Sequence, residues 1–239
     1  SVSVDPERRK RVESHHTATH LMHWALHQAI GPDVSQQGSL VDQDRLRFDF
    51  NSEALSKEQL LAVEDIVNEK IKDNDLVSWT EVRHNDIKDR SDIMQFFGDK
   101  YGEMVRVVQI GGNNNDLDGY SMELCGGTHL KSTGEIESFK IKTEGAISAG
   151  VRRIEAVCGD AAQKYVEGRI SELTKESEEF EERLIKVLSS IGEDHKSSRE
   201  LGDLATLEQW EEYKNSVKND LISAEKKLKK KQSSNAAAE

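Results

Sequence analysis

Glu123-Leu124-Cys125-Gly126-Gly127-Thr128-His129 sets a thiol and an imidazole four residues apart. A four-coordinate ion would need two more donors. They are available upstream, in Ser14-His15-His16-Thr17-Ala18-Thr19-His20, where His16 and His20 fall one helical turn apart and share a face. Zinc accepts nitrogen and sulfur together in tetrahedral geometry, and a ligand set split between distant segments holds two layers of a fold in register. Each pair alone is weak evidence, since an i,i+4 histidine pair arises by chance and Cys-Gly-Gly-Thr-His can be an ordinary turn. Their coincidence leads us to expect one zinc ion on His16, His20, Cys125 and His129. His15, His23 and His27 are expected to be surface or lining residues, His23 and His27 being solvated on the ligand face.

The 239 residues include two prolines and two cysteines, and 33% of them are charged. That length carries one substantial domain with an appendage, or two small domains. Few aromatics and many charges suit an appendage of exposed helix. A net charge of -12 argues against gripping nucleic acid through bulk electrostatics. Arg8-Arg9-Lys10-Arg11, Arg152-Arg153 and Lys226 to Lys231 are local basic clusters, each solvated when read singly. Two cysteines are too few for a disulfide scaffold, and a metal-type motif needs a reduced thiol, so a cytoplasmic setting is expected. No apolar run approaches the roughly 18 residues of a membrane span, so no membrane partner is expected. The chain begins with Ser1, which fits a piece of a longer protein.

Along the chain, residues 1–13 lack apolar periodicity and read as a poorly ordered lead-in from a missing upstream domain. Ser14 caps a helix to about Ile30, stopped by Gly31-Pro32. Alternation from Gly38 to Phe50 predicts a hairpin, and Ser56-Lys57-Glu58-Gln59 a capping box before a helix that buries Leu60, Val63, Val67 and Ile71. Strands follow at Leu76 to Val82 and Met104 to Ile110, with a short helix from Ile93 to Phe97 between them. A polar loop, Gly111 to Gly119, flexible by composition, precedes the strand that delivers the cysteine motif. Strands at 136–141 and 151–157 flank a loop containing Gly145, Ala146 and Gly150. The predicted class over 14–159 is α+β, helices on a mostly antiparallel sheet. From 160 to 231 apolar residues recur at threes and fours, broken at Ser177 and Lys214, and predict an α-helical hairpin. Residues 232–239 carry no apolar side chain larger than alanine and read as a disordered tail.

Five segments, His16 to Leu26, Val34 to Val41, Leu46 to Phe50, Glu123 to His129 and Gly150 to Ala156, occur in that order. Together they resemble the editing domain of the alanyl-tRNA synthetases over residues 8–160. The helical hairpin resembles the segment that follows editing in those enzymes. The threonyl-tRNA synthetase editing domain shares the two ligand pairs. The Ser-Gln-Gln-Gly-Ser stretch at 35–39 and Val-Arg-Arg-Ile-Glu-Ala at 151–156 fit the alanyl type better.

The resemblance implies hydrolysis of the ester in serine or glycine mischarged on tRNA(Ala). A pocket made for a methyl group excludes a smaller ligand, or one with an added hydroxyl, by only about a hundredfold, so a second site must discriminate on another criterion. A hydrogen bond to the serine hydroxyl is one, and the resemblance points to Gln36 as its donor, with Gln37 the neighbouring alternative. Zinc would either activate water and polarise the carbonyl, or orient the aminoacyl group for attack by a free water. The second use, helped by backbone donors of Gly126 and Gly127 beside Thr128 or by the ribose hydroxyl next to the ester, is preferred, with some Lewis-acid character, because four protein ligands close the ion's coordination. Arg152, Arg153 and Lys100 are the candidate contacts to the tRNA acceptor end.

The parent protein would ligate alanine to tRNA(Ala) with ATP, and its other domains are the expected partners. No ATP-activation sequence and no glycine-rich C-terminal domain is found in this chain. The loop from Asn113 to Tyr120 exceeds the family's usual length. A homodimer through the helical hairpin is a further expected partnership. The alternatives are a free-standing deacylase, a threonyl-type editor, and a zinc-stabilised binding module without catalysis.

Overall fold

The Asp5 carboxylate accepts the Glu7 and Arg8 backbone N–H groups at 3.0 and 3.2 Å. Pro6, with no N–H to leave unpaired, takes the first position of the helix that follows. In the computed structural model, which describes residues 3–95, 101–194, 201–202 and 205–236, α1 therefore spans Pro6–Ala29. This corrects the expected start at Ser14. The polar run after Pro6 is an exposed turn of helix, held by its cap rather than by an apolar face.

The hairpin forms as β1 (Gln36–Val41) and β2 (Leu46–Asn51), and α2 (Lys57–Asp73) opens on a reciprocal Ser56–Gln59 capping box. After β3 (Val77–Arg83) comes a single-turn helix, α3 (His84–Ile87). The helix expected from Ile93 is absent through Gln95, because Met94 is engaged instead in a parallel bridge to Glu123. Phe96, Phe97 and Lys100 lie outside the described residues. β4 (Met104–Ile110) and β5 (Ser121–Leu124) complete one sheet. A 3-10 turn, Thr133–Ile136, replaces the start of the next expected strand, and β6 (Phe139–Ser148) runs through Gly145 and Ala146 before turning at Gly150 into β7 (Val151–Cys158). The expected loop between them shrinks because β6 stays paired with β7 up to Ser148, across two register shifts.

Two antiparallel sheets result, ordered β1-β2-β7-β6 and β3-β4-β5. α1 contacts strands of both, with α2 beside it. Leu21, Met22 and Leu26 of α1 pack with Phe48, Phe50 and Ile154 of one sheet and Val108 and Ile110 of the other, all in one buried cluster. This is the predicted α+β class.

Alternation divides the two arginines of β7. Arg152 pairs with Phe50 in register and shares its face, where Glu144 binds it; Arg153 lies opposite Asp49 on the other face and donates two hydrogen bonds to it at 2.7 and 2.8 Å. The Arg153 hydrogen bonds hold the Asp49 carboxyl below the usual carboxylate range, against its partial burial.

Residues 164–239 form a second compact unit. α4 (Gly159–Ile191) and α5 (Leu207–Ala236) make the expected hairpin, in which Leu184 packs with Tyr213, Val217, Leu221 and Ala224. Both seam exceptions have partners: Ser177 donates to the Leu173 carbonyl at 2.7 Å, and Lys214 pairs with Glu176 at 3.1 Å. α5 continues to Ala236, so residues 232–236 are helical and not a disordered tail. No helix among the described residues is long and apolar enough to cross a membrane.

Phe48 is fully buried. Phe48→Ala should destabilise the first unit by about 3–5 kcal/mol in chemical denaturation. The Asp49–Arg153 contribution is present above the ordinary carboxylate pKa and is lost as pH falls through the lowered folded value. Asp49→Asn should therefore reduce stability at pH 7 and flatten its decline on the acid side.

Candidate metal centre

β5 ends at Leu124, and the loop beyond it carries Cys125 and His129 toward the flank of α1. There His16, His20, Cys125 and His129 present donor atoms all within 4.8 Å of one another. Cys125 Sγ lies 3.4 Å from both His16 Nε2 and His129 Nε2. A tetrahedral zinc with bonds of ~2.3 Å to sulfur and ~2.0 Å to nitrogen sets those ligands ~3.5 Å apart. Gly127 permits this approach, since a Cβ there would overlap the His16 ring.

A surrounding set of contacts aims the ligands. The Glu123 carboxylate is buried beside two imidazoles, 2.6 Å from His20 Nδ1 and 2.9 Å from His23 Nδ1. This leaves His20 Nε2 turned to the cluster, buried and without a hydrogen-bond partner among the described residues. Thr17 Oγ1 accepts the Leu130 N–H at 3.1 Å and lies 3.3 Å from His129 Nδ1, so that His129 Nε2 faces Cys125. Carboxylate or hydroxyl partners on the outer ring nitrogen are the usual way a protein fixes a metal-binding histidine. Arg106 adds a brace that the sequence did not reveal. Its Nε donates to the Cys125 carbonyl at 2.9 Å, and its terminal nitrogen donates to the Gly127 carbonyl.

Charge follows from this packing. Burial disfavours the His20 cation, but Glu123 outweighs it and raises the imidazole to about 10. Burial likewise opposes the Glu123 anion, and His20 and His23 hold its carboxyl well below the ordinary range. The Cys125 thiol, though partly buried, is drawn down to about 3 by His129, His16 and His20. His129 is lowered to about 4, chiefly by burial. The Cys125 thiolate and the lowered His129 are ready donors, and an ion at the buried His20 Nε2 would take the place of the proton that Glu123 favours there, so the donor set fits zinc.

The other expected residues are dispersed. Gln36 and Gln37 lie on the edge strand β1 and reach Ser39 and Ser35, with no hydrogen bond to the four ligands among the described residues. Gly126 and Thr128 are exposed, whereas the Gly127 N–H is turned to Cys125 Sγ at 3.4 Å. Arg152 and Arg153 are taken up by Glu144 and Asp49.

Because α1 is packed on several sides, the surface reading of His15 and the solvated reading of His23 and His27 are corrected, while His23 and His27 are lining residues. His15 is buried, its Nδ1 3.0 Å from the Arg11 carbonyl and its Nε2 accepting the Cys158 N–H at 3.2 Å. His23 is buried on Glu123, and His27 Nε2 donates to the Val34 carbonyl at 2.7 Å. Cys158 is buried as expected, its thiol pushed up by burial. The 111–119 loop is tied rather than loose, since the Asn113 backbone and amide both donate to Asp118. A cavity of about 530 Å³ lies between that loop and α1, with His23, His27 and Glu123 in its wall.

Residues 105–155 match the family described as the threonyl and alanyl tRNA synthetase second additional domain. The match places this part of the fold, with Cys125 and His129 of the cluster, in that class. The chain is 46% identical over 255 aligned positions to the alanine-tRNA ligase of Akkermansia muciniphila, covering 99% of this chain and 27% of that protein. It is 49% identical to the Methylacidiphilum infernorum alanine-tRNA ligase over 73% of this chain and 18% of that protein. For the Chlamydia trachomatis serovar L2 ligase the identity is 40%, over 85% of this chain and 23% of that protein. The chain belongs to the alanyl-tRNA synthetase family, as a segment spanning about a quarter of the length of these relatives.

Two substitutions test the centre. Glu123→Gln should weaken zinc binding by about 10–100-fold in competitive chelator titration, because the carboxylate orients His20. Gly127→Ala should displace His16 and reduce zinc content well below the wild-type value, with the far-ultraviolet circular dichroism of the fold retained.

Proposed function

We propose that this segment hydrolyses the ester of serine or glycine mischarged on tRNA(Ala), with one zinc ion held by His16, His20, Cys125 and His129. The observation that carries this reading is the convergence of those donors, oriented by Glu123 and Thr17, in a domain of the alanyl-tRNA synthetase family.

When bound, zinc supplies Lewis acidity and a fixed anchor for the aminoacyl group. The protein's own groups supply the rest. His20 and His129 are aimed by their outer nitrogens, so the reacting ester would meet a preformed surface that needs little reorganisation. The Gly127 N–H is occupied by the Cys125 sulfur. Of the two glycine donors, the Gly126 N–H in its exposed residue is therefore the one left to meet a developing oxyanion. Four protein donors favour orientation of the substrate, with a free water as nucleophile. Gln36 is our candidate for recognising the serine hydroxyl, its half-exposed amide being lightly held by Ser39 at 3.4 Å. Alanine would lose that bond and leave a polar group unpaired. Arg152 and Arg153 remain candidate acceptor-stem contacts, and the ligation of alanine with ATP belongs to the longer parent protein, in a cytoplasmic setting.

The expected result is that zinc-loaded protein accelerates decay of serine-charged tRNA(Ala) over buffer while alanine-charged tRNA(Ala) is spared. Gln36→Ala should slow serine removal by about three- to tenfold with zinc content unchanged. Decay no faster than in buffer, with the remaining synthetase domains supplied in trans, would leave a zinc-stabilised binding module. Preference for serine on threonine tRNA would point to a threonyl-type editor.

A further inference from the structure

Strand register carries the metal centre's surface across the second sheet to an aromatic side chain that no role has yet absorbed. β4 and β5 pair Val107 with Leu124, and the Cys125 N–H donates to the Arg106 carbonyl at 3.0 Å, so Cys125 lies beside Arg106. Arg106 in turn pairs with Glu81 of β3. One step along the same face, Glu123 pairs with Val108 and Val108 with Trp79. Since residues two apart on a strand share a face, Cys125, Arg106, Glu81, Glu123 and Trp79 all belong to the metal-bearing side of the sheet.

Trp79 sits there with 53% of its surface exposed. The Arg106 guanidinium lies 5.3 Å from its ring centroid, a cation–π contact that fixes the indole while leaving part of it open. The tryptophan also borders a groove of about 490 Å³ along the edge of β3, shared with Thr80, Glu81, Asn114 and Asn115. Asn115 accepts the Thr80 hydroxyl through Oδ1 at 3.2 Å, which leaves its amide group as a donor beside the groove.

The chemistry of this wall selects its occupant. Arg106 already spends donors on the Cys125 and Gly127 carbonyls, and the exposed Glu81 carboxylate repels anions, so a phosphate is a poor fit. An indole backed by a cation, with amides and a carboxylate at its margin, suits a neutral flat ring that carries both donors and acceptors. Two strand spacings, ~10 Å, separate the strand of Cys125 from that of Trp79. One aminoacylated nucleoside covers such a span from its ester carbon to the far edge of its base.

We infer that Trp79 is the stacking platform for the 3′-terminal nucleobase of the RNA whose aminoacyl ester lies at the metal centre, with Arg106 as the positioning residue that holds the indole. This rests on the deacylation reading for the identity of the RNA. Stacking is insensitive to long-range charge, which suits a chain of net charge -12.

The test uses the zinc-loaded chain and two uncharged oligoribonucleotides, one ending in C-C-A and one whose terminal adenosine is replaced by an abasic ribose. With Trp24→Phe and Trp210→Phe, Trp79 is the sole indole, and the intact oligonucleotide should quench its fluorescence. The abasic one should bind about tenfold more weakly. By anisotropy, Trp79→Leu should weaken the intact oligonucleotide by a similar factor and leave the abasic one unaffected, while Trp79→Phe should retain most of the difference. Retained zinc would show that the exposed substitution has not disturbed the fold. Absence of quenching, absence of binding by the wild-type chain at millimolar oligonucleotide, or equal binding by Trp79→Leu would overturn the inference. Trp79-dependent binding by a chain that fails to hydrolyse the serine ester would uphold the stacking role and reject the hydrolytic one.

Discussion

The Glu123 carboxylate, buried between His20 and His23, is the contact on which the rest of the first unit depends. An unpaired charge at that depth would cost several kcal/mol, so α1 must lie against β5 with two imidazoles presented to it. That fixes the helix in rotation and in depth. With the rotation set, His15 meets the Cys158 backbone of β7 and Thr17 meets His129 and Leu130. His16 and His20 are left for Cys125. A single helix thereby keys two sheets together, and the metal cluster lies where its face crosses the end of β5.

How far this could be foreseen depended on whether the signal was local. The Ser56–Gln59 cap, the β1–β2 hairpin and the α4–α5 seam are written in short-range spacing, and the chain folds accordingly. The four ligands were legible because their side-chain chemistry is unusual enough to stand out across a long separation. The start of α1 was missed because Asp5 and Pro6 open it without an apolar face. Segment 91–95 carries helix-like residues, yet Met94 pairs with Glu123 from a distant strand. Glu123, Arg106 and Trp79 are silent for the same reason, since Glu123 is placed by its contact with α1, and Arg106 and Trp79 by register across three strands.

On the proposed function, a chain of net charge -12 would have to obtain its affinity for RNA without broad electrostatic attraction. Several of the cations that stand out in the sequence are paired within the fold: Arg152 with Glu144, Arg153 with Asp49, and Lys227 of the helical hairpin with Glu193. Arg106 serves the protein's own carbonyls. Recognition would then rest on short-range shape and stacking near the ester, with the remainder of the longer parent chain contributing the rest of the acceptor-stem contacts.

The central claim is that the His/Cys cluster is the working centre of a deacylase. The most direct measurement follows the decay of serine-charged tRNA(Ala) as metal-free protein is titrated with zinc, in parallel with Cys125→Ala. The rate should rise to a break at one zinc per chain, and the variant should stay at the buffer rate. A rate in the wild-type chain that does not respond to zinc, or that survives in Cys125→Ala, would contradict the account.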